Sequence, residues 1–266
     1  MAKVHLPFPL TGNLAGLSLY TRKDMEGVLA RRPGGASKKR IRHDDSFEMT
    51  RLYDAEFSGC STASKWLRRR ALQHLEHLGD FNWAPALLGH LHALIPLDTS
   101  SKLGSRSVAL SKNPSLVSEY PLTRRQLFDT VVRTSITWQI DKGALSATLS
   151  TGELLPGVNF LPGGPYPFFR FVAVLGAVPD LHHLKGNKYG PPAGFTPVAA
   201  NWVHSEWLVA GKKAPATTLE MSLPKAPGTA PFTLVLSVGL ERGTVDTGGS
   251  IETVRHFGCA KILGAV

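Results

Sequence analysis

The sequence predicts an α+β protein that is mostly β: an N-terminal strand arm and hairpin, a small helical section, then an antiparallel β-sandwich of immunoglobulin-like or related topology. Three observations carry this. Gly (26) and Pro (19) make up about a sixth of the 266 residues, above the roughly 12% average, and they punctuate short apolar runs. Helical periodicity is confined to one block between residues 45 and 95. From residue 122 onward, short alternating runs follow one another with turn residues between them and no helix. The expected organisation is therefore 1–97 for the arm, hairpin and helices, 98–121 as a linker, and 122–266 as the sandwich.

The arm comes first. Val4, Leu6, Phe8 and Leu10 alternate with His5, Pro7 and Pro9, so an extended backbone puts four apolar side chains on one face. Pro7 and Pro9 remove donors from the same strand edge, so this strand pairs on one side only. Two docking modes follow. The arm folds back as an edge strand of its own domain, or it reaches out and completes a neighbour's sheet, which builds fibres when the contact does not close on itself. Burying four such side chains is worth about 1.5–3 kcal/mol each, against about 1–2 kcal/mol per residue for ordering the backbone. Docking in trans therefore needs a preformed groove and a second interface.

Leu17 to Arg22 and Val28 to Arg32 make a hairpin around Lys23 to Gly27. A basic connector follows, in which Lys38, Lys39, Arg40 and Arg42 join Arg31 and Arg32. Residues 1 to 72 hold fourteen Lys and Arg against seven Asp and Glu, within a net charge of +10. These six cations are the candidate site for an anionic partner, nucleic acid or an acidic glycan. No aromatics interleave them, as single-strand stacking requires.

Asp45 or Ser46 is a suitable N-cap, with Glu48 three residues beyond Asp45. The helix it opens is expected to kink or stop at Ser58-Gly59. A second helix, Ser61 to Leu78, carries Trp66, Leu67, Ala71, Leu75 and Leu78 as its apolar stripe, with Arg68, Arg69, Gln73 and Glu76 facing away. Asp80 caps a third helix bearing Trp83, Leu87, Leu91 and Leu94, with Pro85 in its first turns and Pro96 beyond its end.

In the last part, Ile136 to Ile140 and Leu145 to Leu149 make the clearest hairpin, around Asp141-Lys142-Gly143. Pro167 to Val178 suits a central strand and Leu181 to Pro197 a long loop. Five more strands are expected: Trp202 to Val209, Thr217 to Leu223, Phe232 to Leu240, Ile251 to Phe257 and Lys261 to Val266.

Chemistry is sparse. No phosphate-binding loop, dinucleotide fingerprint or nucleophile elbow occurs. His74 with His77, His90 with His92, and His182 with His183 lack a third ligand at metal spacing. The aromatics Tyr166, Phe168, Phe169, Phe171, Trp202 and Trp207 suit core and loop packing more than a carbohydrate platform. Cys60 and Cys259 are too few for a disulfide framework and are expected as buried thiols. The sequence thus implies a non-enzyme with no catalytic residue, metal or cofactor. No apolar stretch reaches membrane-spanning length. Lys3 precedes a run broken by two prolines, which is not a signal peptide.

Several stretches together carry a resemblance: Gly16-Leu17-Ser18-Leu19-Tyr20, Ala30 to Gly35, Asp44 to Arg51 with Phe47, Glu56-Phe57 ahead of Ala63 to Leu67, Gly239-Leu240-Glu241, and Ala260 to Leu263. They resemble a family of uncharacterised Bacteroidota proteins similar to protomers of pilus-like extracellular fibrils. The resemblance implies a structural subunit that polymerises with itself head to tail, with Val4, Leu6, Phe8 and Leu10 inserted into the next subunit's sheet. It also implies an extracellular or cell-surface location; the lack of a signal peptide keeps the cytoplasm as the alternative, and the basic segment makes glycans or acidic surfaces the expected further partners.

Overall fold

A computed structural model describes residues 2–4, 10–22, 25–32, 34–186 and 188–266, with 2–4 described as backbone. It is mostly β, with helices grouped early in the chain. The chain forms two compact units, Met1–Arg51 and Leu52–Val266.

The first unit is a four-stranded antiparallel sheet. Its strands are β1 (Ala2–Val4), β2 (Gly12–Leu14), β3 (Leu17–Arg22) and β4 (Met25–Arg31), in the order β1-β4-β3-β2. The β3–β4 hairpin is the one its alternation predicts. Leu19, Val28 and Ala30 form a small core on one face, and Leu10 packs on it. Short helix α1 (Lys38–His43) follows, its N-terminus capped by the Ser37 hydroxyl, which accepts from the Arg40 amide. Asp44 caps the next turn by accepting from the Ser46 amide at 3.0 Å.

The divide between the units falls within α2 (Glu48–Leu67). This helix runs unbroken through Ser58-Gly59, where the sequence suggests a kink. Gly59 is there for a neighbour: a Cβ at this position would lie 2.8 Å from the Tyr189 ring. After Leu67 the chain changes its winding, into a π-helical turn, Arg68–Leu72. Helix α3 (Trp83–Leu91) carries Pro85 in its first turn, where the missing N–H costs nothing. Asp80 does not cap it. Its carboxylate accepts from the Arg124 amide at 2.5 Å.

Residues 98–121 are not a linker. Val108, Leu110, Val117 and Tyr120 are buried in the core beside the helices, and Asp98 and Asp180 fix the segment by accepting backbone amides from Ser107 and Ser111. A composition rich in Ser hid four widely spaced apolar anchors.

Beyond α4 (Phe128–Val131), β5 (Ile136–Asp141) and β6 (Ser146–Thr151) form the expected hairpin. The long strand β7 (Phe168–Pro179) is central, as its apolar run requires. The expected loop 181–197 contains a small hairpin, β8 (His182–Leu184) with β9 (Lys188–Gly190). The chain then gives β10 (Asn201–His204), β11 (Leu208–Val209), β12 (Thr217–Ser222), β13 (Phe232–Val245) and β14 (Ile251–Ala265). The two strands expected over 251–266 are thus one, bent where His256 and Gly258 take positive φ.

Two antiparallel sheets result. One runs β10-β7-β13-β14, with β11 also on β7; the other is β12-β6-β5. Period-two alternation along β7 and β13 explains how they stack. Phe169, Phe171, Ala173 and Leu175 of β7 face the three-stranded sheet, together with Leu234, Leu236, Val238 and Leu240 of β13. Val172, Val174, Val178 and Val235 face Leu67, Ala71, Leu72 and Leu75 of the helical segment. Antiparallel sheets therefore stack as expected, and the helices cover the outer face of the large one. The result is three layers, helices over a large sheet over a small one, where the sequence suggests a sandwich of two. Cys60 lies in the first core and Cys259 in the second; both are free thiols that burial pushes up to about 12.

Candidate functional site

Three places carry the residues singled out by the sequence or by burial. The first is the arm. Strand β1 pairs antiparallel with β4 of its own chain, Ala2 opposite Ala30 and Val4 opposite Val28. Leu10 is half-buried against Leu19, Val28 and Ala30. Leu6 and Phe8, the other two predicted interface residues, lie outside the described residues. The order of strands matters more than any single contact. Strand β1 sits on one edge of the sheet and β2, its nearest described strand in sequence, on the other. Gly12 is in register with Ala2, so Val4 and Gly12 are three strand spacings across and two residues along, about 16 Å apart, well within the roughly 25 Å that the seven residues between them can span.

The second place is the basic segment. Arg31 closes β4 with its guanidinium 5.6 Å from the centre of the Tyr20 ring. Arg32, Lys38, Lys39, Arg40 and Arg42 are exposed. Arg40 is committed: its Nε donates to Asp44 at 3.0 Å and its guanidinium lies over Phe47. The hydrogen bonds from Ser46 and Arg40 hold the Asp44 carboxyl below its ordinary value. No residue of α1 is buried, so this is a solvated helix carrying charge.

The third place escaped the sequence. Glu241, on β13, is almost fully buried, yet carries polar partners on three sides. Arg170 Nε donates to Oε2 at 2.6 Å, the Thr253 hydroxyl to the same oxygen at 3.2 Å, and His77 Nε2 stands 2.9 Å from Oε1. Burial drives the carboxyl pKa up, but His77 and Arg170 more than reverse it, so it is held below its ordinary value. Around this group, His74 stacks on Trp202 at 4.4 Å and His204 packs against the same indole at 4.8 Å. Arg170 also lies over Trp207 at 4.4 Å. The residues come from the segment just after the π turn, from β7, β10, β13 and β14 and from the connection between β10 and β11, so only folding brings them together. The sole sequence signal was the His74/His77 spacing, and among the described residues no three His, Cys, Asp or Glu side chains converge as metal ligands.

This cluster sets a pH dependence. Desolvation lowers the pKa of His74 and of His204 below the ordinary 6.5, with neighbouring positive charge adding to it. A base whose folded pKa is lowered stabilises the fold above its unfolded pKa and loses that contribution as pH falls. Thermal midpoints should therefore decline as pH drops from about 7.5 through about 6.5 to about 5.5, with a further decline below about 4.5 as Glu241 protonates. Replacing both His74 and His204 by asparagine should flatten the upper limb; melts that keep the same slope in that variant would refute the assignment.

No described helix is long and apolar enough to cross a membrane. Comparison of the chain with protein-family models, with curated proteins and with solved structures found no match in any of the three.

Proposed function

We propose that the chain is a structural subunit that assembles head to tail, its N-terminal strand completing the four-stranded sheet of the next copy. The observation that carries this reading is the placement of β1 on the free edge of β4, across the sheet from β2. An edge strand whose nearest described neighbour in sequence lies on the opposite edge of the sheet makes the same ladder bonds whether its own copy or another supplies it. Exchange therefore costs little enthalpy, and because donor strand and acceptor edge are different surfaces the contact is heterologous and builds a fibre when the rotation between copies does not close. The apolar patch of Leu19, Val28 and Ala30 supplies the preformed groove.

The test uses the register. Chains carrying Val4→Cys are mixed with chains carrying Val28→Cys under mild oxidation, the native thiols being buried. The expected result is a disulfide between the two kinds of chain, together with fibres or long oligomers of the unmodified protein in electron microscopy and sedimentation. Removal of residues 1–10 should leave a folded monomer. Monomers from the intact chain and no mixed disulfide would overturn the reading and leave β1 as a local edge strand.

A further inference from the structure

Helices α2 and α3 meet at their buried faces, where the Cys60 thiol stands 3.9 Å from the Leu91 carbonyl, but part toward solvent. The apolar stripe Leu67, Ala71 and Leu75 goes to the large sheet, as amphipathic packing requires. The stripe turned toward α3 is instead polar: Ser61 and Thr62, then Ser64 and Lys65, then Arg68 and Arg69. These pairs recur every three to four residues, so they form one continuous wall. Opposite them α3 offers only Ala84, Pro85, Leu88 and Gly89. Small residues on one side and long cations on the other leave a cleft of about 860 Å³.

The charges in this cleft are unbalanced. No acidic residue lines it. Arg68 is engaged, its Nε 3.0 Å from Glu76 and its guanidinium over Trp83. Lys65 and Arg69 form no ion pair among the described residues, although they lie four positions apart on one face and both open on the cleft. Like charges at that spacing repel, and nothing on the apolar α3 wall compensates them. Ser64 is buried to within a few per cent and still lines the same space. Phe57 stands half-exposed at one end. Gly89 leaves open space where a side chain would stand.

From this asymmetry we infer that the α2–α3 cleft binds a phosphate-bearing small molecule with an apolar or planar body, of the size of a nucleoside diphosphate. Lys65 and Arg69 take the phosphate oxygens, with the Ser61 and Ser64 hydroxyls as further donors. The body lies along Ala84, Pro85 and Leu88. The volume falls within the range of small-molecule sites, and so does the combination of an apolar wall with a few convergent polar groups. The site is distinct from the cations of α1 and does not depend on the assembly proposed above.

The experiment is calorimetric titration of the full-length protein with ADP, pyrophosphate and adenosine at low and moderate salt. ADP is expected to bind, with affinity falling as salt rises, and more tightly than either pyrophosphate or adenosine. The Lys65→Ala/Arg69→Ala variant should weaken ADP at least tenfold. Gly89→Leu, which fills the open space without changing charge and suits a helix better than glycine, should weaken it as well. A Lys38→Ala/Lys39→Ala/Arg42→Ala variant should bind as the parent does. The inference is overturned if neither ADP nor pyrophosphate binds, if adenosine binds as well as ADP, or if the α1 variant loses binding while the Lys65/Arg69 variant keeps it. Circular dichroism and thermal melts of each variant separate loss of binding from loss of fold.

Discussion

Gly176→Val is expected to destabilise the second unit by about 3 kcal/mol or more, at the upper end of overpacking costs. Gly176 lies in the middle of β7, and a Cβ built there would land on the Arg70 carbonyl, with the Ala71 Cα 3.0 Å away. Both are backbone atoms of the π-helical turn, which rests directly on the strand. Backbone held by its own hydrogen bonds cannot step aside as a side-chain tip can. Gly239 provides the comparison. It lies on the adjacent strand β13, and its added Cβ would first meet the methyl ends of Leu75 and Leu78. Those can change rotamer, so Gly239→Ala should cost about 1 kcal/mol. Urea unfolding of the two variants checks the difference in midpoints. Equal losses, or a larger loss at Gly239, would show that the π turn does not press on β7 as described.

A loss of about 3–5 kcal/mol is expected on breaking the ion pair at Glu56, the usual consequence of stranding one member of a buried pair. Glu56 is 1% exposed on α2. Arg106 grips it with two hydrogen bonds, Nε to Oε1 at 2.7 Å and Nη2 to Oε2 at 3.0 Å, and the Gly104 amide donates to Oε1 at 2.8 Å. The Tyr189 hydroxyl then donates to the Arg106 carbonyl at 3.0 Å. This is how residues 98–107 are tied to the helix. Arg106→Met should cost more than Glu56→Gln, because the carboxylate left behind is fully enclosed, whereas the Arg106 side chain is about one-fifth exposed and water can reach it. The double variant should lose less than the sum of the singles, since each single change already forfeits the pair. Additive losses in denaturant titrations would show that the two side chains act independently.

The places where sequence and structure part company have a common cause. Hairpin β5–β6, hairpin β3–β4 and the central strand β7 are legible because each depends on alternation and turn residues within a dozen positions. The stripe Leu67, Ala71, Leu75 and Leu78 is legible for the same reason, and all four residues are buried. Gly59 reads as a helix breaker because the Tyr189 ring that fills its space comes from a distant hairpin. Residues 98–121 read as a linker because a segment pinned by Asp98, Asp180 and four separated apolar anchors has no local period. Arg68 and Arg69 do face away from the core, but a helical wheel does not say what stands opposite.

The sequence by itself determined the mostly β composition, the β3–β4 and β5–β6 hairpins and the central strand β7, since these follow from side-chain period and turn residues along the chain. Tertiary structure decided the three-layer stacking, the Glu56 and Glu241 pairs, and the cleft bearing Lys65 and Arg69. The physical reason is range. Backbone propensity and periodicity act over a few residues, whereas burying a charge or leaving a cleft depends on which distant surfaces the packed sheets and helices bring face to face.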